Sequence, residues 1–309
     1  MNNLLTFILS LIGSFFLLIK IIPLLGYDIP NERSSHEKPV SRGGGIIFII
    51  SSIVSIPIFG SYPFLFLLPL GLVGLLDDIY SLSSKIRYLV QLFTVVLITL
   101  VHFDYFSTID HNLLKIVILV FFILLGTTII NFSNFMDGID GLLGSTMLIV
   151  FFNIALINKS VNLYIILGSL LSFLYFNKSP AKVFMGDVGS TFLGGLLFLM
   201  IVKAGSFEKA FYSLAVSFPL FFDAFTCLVR RFISKENIFR PHKKHLYQRL
   251  VKSGMSHSKV TLIYSICCII ISIACFTGNN INVLFSLIFT GIIGLMINKY
   301  IAEPFETSK

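Results

Sequence analysis

The sequence predicts an all-α protein that crosses a membrane many times. Of its 309 residues, 56% are hydrophobic and only 12% are charged, and the mean hydropathy of +0.92 excludes an ordinary soluble domain. Apolar runs long enough for helical spans recur along the whole chain. Carboxylates stand beside three of these runs, at Asp77 and Asp78, at Asp137 and Asp140, and at Asp187. These observations predict a polytopic membrane protein with an acidic site at the helix ends.

The apolar runs predict about eleven transmembrane helices in a single domain that covers residues 1–309. The predicted spans are residues 4–25, 44–60, 63–76, 88–102, 113–130, 142–158, 162–176, 188–203, 210–229, 260–277 and 282–301. The first span has no Lys or Arg before Lys20, so it lacks the basic start of a signal peptide. We therefore expect this helix to be retained.

The distribution of Lys and Arg predicts an outside N-terminus and a cytoplasmic C-terminus. With this orientation, 19 of the 23 basic residues lie inside, and the exceptions are Lys115, Lys159, Lys203 and Lys209. The same topology, together with anionic lipid headgroups, accounts for the net charge of +8, so no nucleic-acid partner is required. The four cysteines fall within predicted spans, show no metal-site spacing and are read as packed thiols: Cys227, Cys267, Cys268 and Cys275.

The stretch from Asn131 to Gly141 is the most informative in the chain. Asn131, Asn134, Asp137 and Asp140 recur at every third position, and glycines at 138 and 141 allow a turn that brings them together. Two carboxylates and two amides offer the oxygen ligands that a hard cation such as Mg²⁺ prefers. The alternative is a solvated turn between membrane helices.

The other acidic positions also have two readings each. Asp77 and Asp78 end a predicted helix, where they repel each other and face the negative end of the helix dipole. A bound cation or a protonated carboxyl would relieve this, although a plain helix-ending pair is the alternative. Asp187 stands at a predicted helix start, where it is either an ordinary cap or part of a metal and phosphate site. Asp223 lies within a span and is either functional or paired with Arg230 or a neighbouring helix.

Two basic segments are predicted on the inner side. Residues 29–45 combine Arg33, His36, Lys38 and Arg42 with three glycines, which suits either anion binding or a plain basic loop. Residues 230–259 form either a phosphate-binding surface or a segment that lies on acidic headgroups. The second segment contains the candidates Arg240, His242 and His245. The isolated residues His102, His111 and His257 are predicted to face solvent.

The predicted topology places all five carboxylates on the inner side, together with Lys85, His242 and His245. The carboxylates come from three different hydrophobic hairpins. A carboxylate cluster that binds Mg²⁺ and is ringed by cations fits phosphoryl transfer between two anionic substrates. The metal would neutralise the transferred group, and a carboxylate would accept a proton.

Three motifs resemble those of the polyprenyl-phosphate N-acetylhexosamine-1-phosphate transferases, which form glycosyltransferase family 4. They are Asp77-Asp78 with Lys85-x-Arg87 and Gln91, Asn131-x-x-Asn134-x-x-Asp137-Gly-Ile-Asp140-Gly, and Phe184-Met-Gly-Asp187-Val-Gly-Ser190. The resemblance runs from about residue 30 to 250. The segments after Pro30 and around Asp223 are similar to the O-antigen-initiating branch, the undecaprenyl-phosphate GlcNAc-1-phosphate transferases, which are related to phospho-N-acetylmuramoyl-pentapeptide transferase.

The resemblance implies transfer of a sugar-1-phosphate from a UDP-linked N-acetylated amino sugar to undecaprenyl phosphate, which releases UMP. It implies a multi-pass enzyme of the bacterial plasma membrane whose site faces the cytoplasm and which begins a cell-envelope polysaccharide. Mg²⁺, or Mn²⁺ in its place, is the implied cofactor. The implied roles are metal binding by Asp187, activation of the lipid phosphate by Asp77 beside Asp78, nucleotide binding by Asn131, Asn134, Asp137 and Asp140, uracil stacking by Phe184, and phosphate binding by Lys85.

The chain departs from the family in the segment His245-Leu-Tyr247-Gln248-Arg249, where other branches have more histidines. The muramoyl-pentapeptide substrate is therefore less expected than a simpler N-acetylated hexose, including deoxy sugars such as FucNAc or QuiNAc. Arg240, His242 and His245 are interpreted as residues that bind the sugar-nucleotide. A homodimer, and the choice between direct attack and a covalent intermediate, stay open.

Two other functional classes share some of these features. A cation- or proton-coupled transporter would also be multi-pass and could use Asp223, but its site would lie near the midplane within repeated halves, and the sequence has no internal repeat. An intramembrane aspartyl protease would place its acids within spans, where only Asp223 qualifies. Carboxylates at inner helix ends favour an enzyme.

Overall fold

The computed structural model describes residues 3–30, 38–102, 111–237, 240 and 242–305, and this part of the chain folds into a helical bundle with one small sheet. The α-helices are α1 (Asn3–Ile21), α2 (Ile46–Phe59), α3 (Leu68–Tyr80), α4 (Ser84–His102), α5 (Asn112–Phe135), α6 (Leu142–Ile157), α7 (Leu163–Asn177), α8 (Gly186–Val202), α9 (Phe207–Ala215), α10 (Phe218–Ile233), α11 (Leu246–Lys252), α12 (His257–Phe276) and α13 (Asn280–Tyr300). The opening-loop candidates Arg33 and His36 lie outside the described residues.

The prediction of a polytopic helical membrane protein is confirmed. Each of the eleven predicted segments is helical. Within the described ranges, six helical stretches are long and apolar enough to cross a membrane: Asn3–Leu24, Tyr62–Tyr80, Ser84–His102, Asn112–Phe135, His257–Phe276 and Asn280–Tyr300. The stretch that ends in α3 begins as a 3₁₀ helix, Tyr62–Leu67. Helices α2, α6, α7 and α8 are apolar but shorter, so the count of eleven spans and the orientation stay predictions.

The predicted continuous span at 210–229 is wrong, because the chain bends by 71° between α9 and α10. Pro219 lies in the first turn of α10. In an unbroken helix it would lack the N–H needed to reach the Ala215 carbonyl, and its ring would clash with that carbonyl. Pro219 therefore accounts for the break between α9 and α10.

Helix α8 forms the centre of the bundle and is buried along nearly its whole length. Small residues allow its neighbours to approach. A methyl group on Gly194 would lie 2.8 Å from the Ile130 Cα in α5, and one on Gly74 in α3 would lie 2.6 Å from the Val188 Cα. This close packing is typical of membrane helices. It holds the N-terminus of α8 against the C-terminal half of α3.

A three-stranded sheet carries the first basic segment to the start of α8 and qualifies the all-α prediction. Strand β1 (Tyr27–Asp28) pairs antiparallel with β2 (Val40–Arg42), and β2 pairs parallel with β3 (Val183–Phe184). The register sets Arg42 opposite Phe184. Because α8 begins two residues after β3, this pairing brings Arg42 to the N-terminus of α8.

We expect Gly74→Ala to destabilise the protein by about 1–3 kcal/mol. The added methyl group would meet backbone atoms of Asp187 and Val188, and backbone cannot move aside as a flexible side chain can. Gly13→Ala in α1 is the matched control, because nothing lies within 4 Å of its added methyl group. Thermal unfolding of both variants in detergent measures the difference. Equal melting temperatures for the two would contradict the close packing of α3 on α8.

Candidate active site

The N-terminus of α8 is capped by a carboxylate from α3. Asp78 accepts hydrogen bonds from the backbone N–H groups of Asp187 (3.0 Å) and Val188 (3.1 Å). The free N–H groups and positive dipole end of a helix start favour a carboxylate there. Gly186 has φ +75°, and a Cβ at this position would collide with the Asp78 carboxylate, so glycine fits both constraints. Asp78 therefore positions the site, and its oxygens are already engaged.

Two arginines join the acidic residues into one network. The Arg42 guanidinium bonds Asp78 (2.8 Å) and Asp187 (3.1 Å). Arg87 donates through one nitrogen to Asp77 and Asp187, each at 2.8 Å. The predicted phosphate-binding cation was Lys85, and neither arginine was predicted as a site residue. The acidic cluster could have indicated them, because carboxylates at apolar helix ends need compensating positive charge. The forked guanidinium group of arginine matches carboxylate geometry.

The predicted oxygen-rich group is only partly assembled. Asn134 hydrogen-bonds the Asp187 side chain and donates to Ser190 Oγ (3.2 Å). Burial, followed by the negative charge of Asp187, raises the pKa of Asp137 well above its ordinary value. A divalent cation would relieve this repulsion, and carboxylate and amide oxygens are suitable ligands for Mg²⁺. The residue types of Asp187, Asp137 and Asn134 therefore suit the implied metal, while both Asp187 oxygens pair with arginines in this structure.

A cleft of about 760 Å³ opens beside the acid–arginine network. It lies between α3, α4, α5 and the segment before α11. The predicted site residues in its wall are Lys85, Asn131, Asn134, Asp187, Arg240, His242 and His245. Asn131 donates to Gln91 (3.0 Å), which ties α5 to α4. The wall also contains apolar side chains, including Leu70, Phe132 and Leu228, so the cleft has a charged end and an apolar side.

The predicted site residues that do not line this cleft are Asp77, Asp78, Asp137, Asp140 and Phe184. Asp140 faces His257 (3.2 Å between Oδ2 and Nδ1) and accepts from the Ala181 N–H (3.2 Å). Although burial raises the pKa of Asp140, the hydrogen bond and charge of His257 lower it below its ordinary value overall. The prediction of a solvent-facing His257 is wrong, since only 14% of its side chain is exposed. The prediction fails for His102 too, because its ring packs edge-on against Phe66 (5.0 Å).

Asp223 anchors the short helix α11. It accepts from the N–H groups of Leu246 (2.7 Å) and Tyr247 (3.1 Å) and from the Tyr264 hydroxyl (2.7 Å). The alternative of pairing within the bundle is therefore confirmed through the neighbouring helices α11 and α12, and not through Arg230, which donates to Asn298 (2.9 Å). A cap from a different helix fixes where α11 begins, and therefore where His245 stands.

Tyr247, in the segment where the chain departs from the family it resembles, has a packing role. Its hydroxyl donates to the Phe135 carbonyl (2.9 Å). Only glycine fits at position 138, because a Cβ there would collide with the Tyr247 hydroxyl. Helix α11 thereby locks the turn that carries Asp137.

The two cleft histidines lie side by side, with ring centres 4.9 Å apart. Burial, followed by the charge of His245, lowers the pKa of His242 to about 3, so its ring is neutral near pH 7. Ring nitrogens of both histidines and the Cys227 thiol lie within 4.8 Å of one another, a grouping that the cysteine spacing did not predict. His242 and His245 therefore contact each other in the wall of the cleft, with Cys227 beside them.

Asp223→Ala is expected to lower the free energy of unfolding by about 2 kcal/mol, because two backbone donors and one hydroxyl lose a buried acceptor. Tyr264→Phe removes only the hydroxyl contact and should cost less. Thermal unfolding in detergent compares the two. Equal losses would show that the capping bonds to α11 contribute nothing.

Fold and site together define a polytopic helical membrane protein with a cleft beside an arginine-bridged acidic cluster. Comparison with known proteins agrees. Residues 61–205, which contain the Asp77, Asn131–Asp140 and Asp187 motifs, match the model of glycosyl transferase family 4. The residues from 230 to 259 lie outside the matched range.

Curated relatives extend the similarity to most of the chain. The chain is 32% identical over 224 residues, 71% of each chain, to the undecaprenyl-phosphate alpha-N-acetylglucosaminyl 1-phosphate transferase of Thermotoga maritima. It is 29% identical over 273 residues to a probable undecaprenyl-phosphate N-acetylglucosaminyl 1-phosphate transferase of Bacillus subtilis, covering 80% of this chain and 75% of the relative. A phospho-N-acetylmuramoyl-pentapeptide-transferase of Dictyoglomus turgidum is 35% identical over 50% of this chain and 56% of its own.

The chain therefore belongs to glycosyl transferase family 4, as the sequence motifs predicted. It is a membrane transferase.

Proposed function

We propose that this protein transfers an N-acetylated amino-sugar 1-phosphate from a UDP-sugar to undecaprenyl phosphate. The products are undecaprenyl-diphospho-sugar and UMP, and the reaction is the first membrane step of a cell-envelope polysaccharide. The observation that carries the proposal is the meeting of Asp77, Asp187 and Arg87 at the edge of a cleft with a charged end and an apolar side. The phosphates of the lipid and of the nucleotide need the charged end, and the lipid chain needs the apolar side.

The proposed chemistry makes one bond and breaks one. An oxygen of the lipid phosphate bonds to the β-phosphorus of the UDP-sugar, and the bond from that phosphorus to the bridging oxygen breaks, so UMP leaves with the bridging oxygen. A proton on the lipid phosphate passes to the Asp77 carboxylate. Mg²⁺, or Mn²⁺ in its place, would be held by Asp187 with Asp137 and Asn134 beside it, and when bound it supplies charge neutralisation at the phosphate oxygens.

The remaining residues hold and orient the substrates. Arg87 bridges Asp77 and Asp187 and so sets the separation between the proton acceptor and the metal ligand. Lys85 at the cleft rim holds phosphate oxygens, and Arg240, His242 and His245 in the opposite wall contact the sugar-nucleotide. Asp140 and Phe184 lie outside the cleft, and Asp140 is engaged by His257 and the Ala181 N–H, so we assign no substrate contact to either residue. Phe132 and Leu228 provide an apolar path for the lipid chain.

We propose that the bundle crosses the bacterial plasma membrane eleven times, with the N-terminus outside and the site facing the cytoplasm. The basic residues in the first turn of α4 and in the last turns of α10 and α13 support this orientation. Supply of the UDP-sugar from the cytoplasm requires it. The short helices α2, α6, α7 and α8 then count as spans, and α9 with α10 makes one broken span.

The bend between α9 and α10 favours the transporter alternative, because broken spans are typical of transport sites. However, the carboxylate on the broken span, Asp223, is committed to α11 and to Tyr264. We therefore retain the enzyme.

The decisive assay uses purified protein with undecaprenyl phosphate, Mg²⁺ and a panel of UDP-sugars, scored for UMP release. We expect release with a UDP-N-acetylated hexose, with UDP-GlcNAc, UDP-FucNAc and UDP-QuiNAc as the first candidates and UDP-glucose as the control. Release without added lipid phosphate, or with UDP-glucose as well as with the N-acetylated sugars, would contradict the proposal.

A further inference from the structure

A second polar pocket lies at the C-terminal end of the described chain, apart from the candidate active site. Its volume is about 370 Å³, and it is bounded by the ends of α10 and α13 and by α11. The polar residues that line it are Arg230, Ser234, Arg249, Asn298 and Lys299. The pocket shares no lining residue with the catalytic cleft, so the proposed reaction does not account for it.

The charges in this pocket are unbalanced. Arg249 is only 3% exposed, and its hydrogen bonds go to neutral acceptors: the carbonyls of Lys244 (3.1 Å) and Glu303 (2.8 Å) and the Asn298 side chain. Arg230 donates to the same Asn298 oxygen at 2.9 Å. Two guanidinium groups thus converge on one amide oxygen. Like charges held together and away from water are costly without a counter-charge.

Among the described residues, the nearby carboxylates are engaged with other groups. Glu236 faces Arg231 (3.2 Å) and Lys244 (2.7 Å), Glu303 faces Lys252 (3.6 Å), and Asp223 caps α11. Among the described residues that line the pocket, none is acidic.

The Phe305 ring compensates part of the positive charge. Its centre lies 5.6 Å from the guanidinium carbons of both Arg230 and Arg249 and 5.1 Å from the Lys244 ammonium. An aromatic face attracts cations, but it carries no net charge. Counted over the described residues, the pocket lining therefore keeps an excess of positive charge, and the Lys299 ammonium, which lies 5.2 Å from the centre of the Tyr300 ring, adds to it.

We propose that this pocket binds a phosphate anion, and that an inner-leaflet phospholipid headgroup is its source. Arg230 and Lys299 would contact the phosphate oxygens, and the buried Arg249 would supply further positive charge beneath them. Guanidinium groups are well suited to phosphate. The rim indicates the lipid source, because Phe232, Ile233 and Tyr300 are 75%, 72% and 70% exposed, as expected where a bundle meets the headgroup region. Free phosphate offers the same chemistry.

The test measures ligand binding to the purified full-length protein in detergent. Melting temperature is followed against phosphatidylglycerol, phosphatidylcholine and inorganic phosphate, the last at constant ionic strength with chloride as reference. We expect phosphatidylglycerol, but not phosphatidylcholine, to stabilise the wild type. In the Arg230→Gln/Lys299→Gln variant, binding should be at least about tenfold weaker. Stabilisation by inorganic phosphate alone would support the pocket and assign it to a free anion.

Two further variants make the result decisive. Lys235→Gln/Lys259→Gln removes the same charge from exposed positions that do not line the pocket, so it should bind like the wild type. Asn298→Asp places a carboxylate between the two arginines, so it should raise the melting temperature without ligand and abolish the ligand effect. It also provides a test if the Arg230 variant fails to fold. Wild-type binding by Asn298→Asp, or no response of the wild type to either phosphate source, would overturn the proposal.

Discussion

Asp187→Asn is expected to abolish turnover, by a factor of about 10³ or more, without unfolding the protein. The side chain keeps its shape but loses the charge that a hard cation prefers, and it loses the ion pairs to Arg42 and Arg87. EDTA should abolish wild-type activity in the same way, and added Mg²⁺ should restore it. The UMP-release assay, with melting temperatures for both proteins, measures these effects.

Asp28→Asn is the control for Asp187→Asn. Asp28 is an acid whose charge reaches Arg42, but it does not line the cleft. It should retain nearly full activity. Near-normal turnover by Asp187→Asn after EDTA treatment would show that the metal assignment is wrong.

His245→Ala is expected to lower kcat/KM for the UDP-sugar about tenfold or more, which corresponds to roughly 1.5–3 kcal/mol for a lost charged hydrogen bond. His245 stands in the cleft wall, between the parallel ring of Tyr247 (5.8 Å) and the ring of Phe135 (6.0 Å). KM for undecaprenyl phosphate should stay nearly unchanged, and the ranking of UDP-sugars should shift. Both KM values and the ranking are measured in detergent.

His111→Ala is the control for His245→Ala, because His111 is exposed and does not line the cleft. A residue that only anchors the segment to headgroups would lose its effect in detergent. An equal loss of kcat/KM for every UDP-sugar, together with a raised KM for undecaprenyl phosphate, would contradict the role in sugar recognition. Residues 230–259 would then be interpreted as a membrane-surface segment.

The convergence of Asp77, Asp78 and Asp187 could be predicted because the predicted topology puts all three at helix ends on the same predicted side of the membrane. Helical periodicity and the positive-inside rule are local signals that survive folding. The role of Asp78 could not be predicted, since capping α8 depends on the contact of α3 with α8 through Gly74. A sequence shows that glycine is small, but not which backbone lies against it.

The arginines were missed for a similar reason. Arg42 reaches Asp187 because β2 pairs with β3 in one register, and strands of two or three residues have no recognisable period. The pairing of His257 with Asp140 joins the start of α12 to a turn 117 residues earlier. Such contacts are set by tertiary packing. The break before α10 was readable from Pro219, whose position forbids a continuous helix.

The most direct test follows the β-phosphate of the donor. Purified protein is incubated with undecaprenyl phosphate, Mg²⁺ and UDP-GlcNAc labelled with ³²P at the β-position, or with the UDP-sugar preferred in the panel. We predict that the label passes to the organic phase in a lipid-linked diphosphate sugar and that the nucleotide product is unlabelled UMP. Label that stays with the nucleotide as UDP would mean transfer of the sugar alone. It would contradict attack at the β-phosphorus and the roles assigned to Asp77 and Asp187.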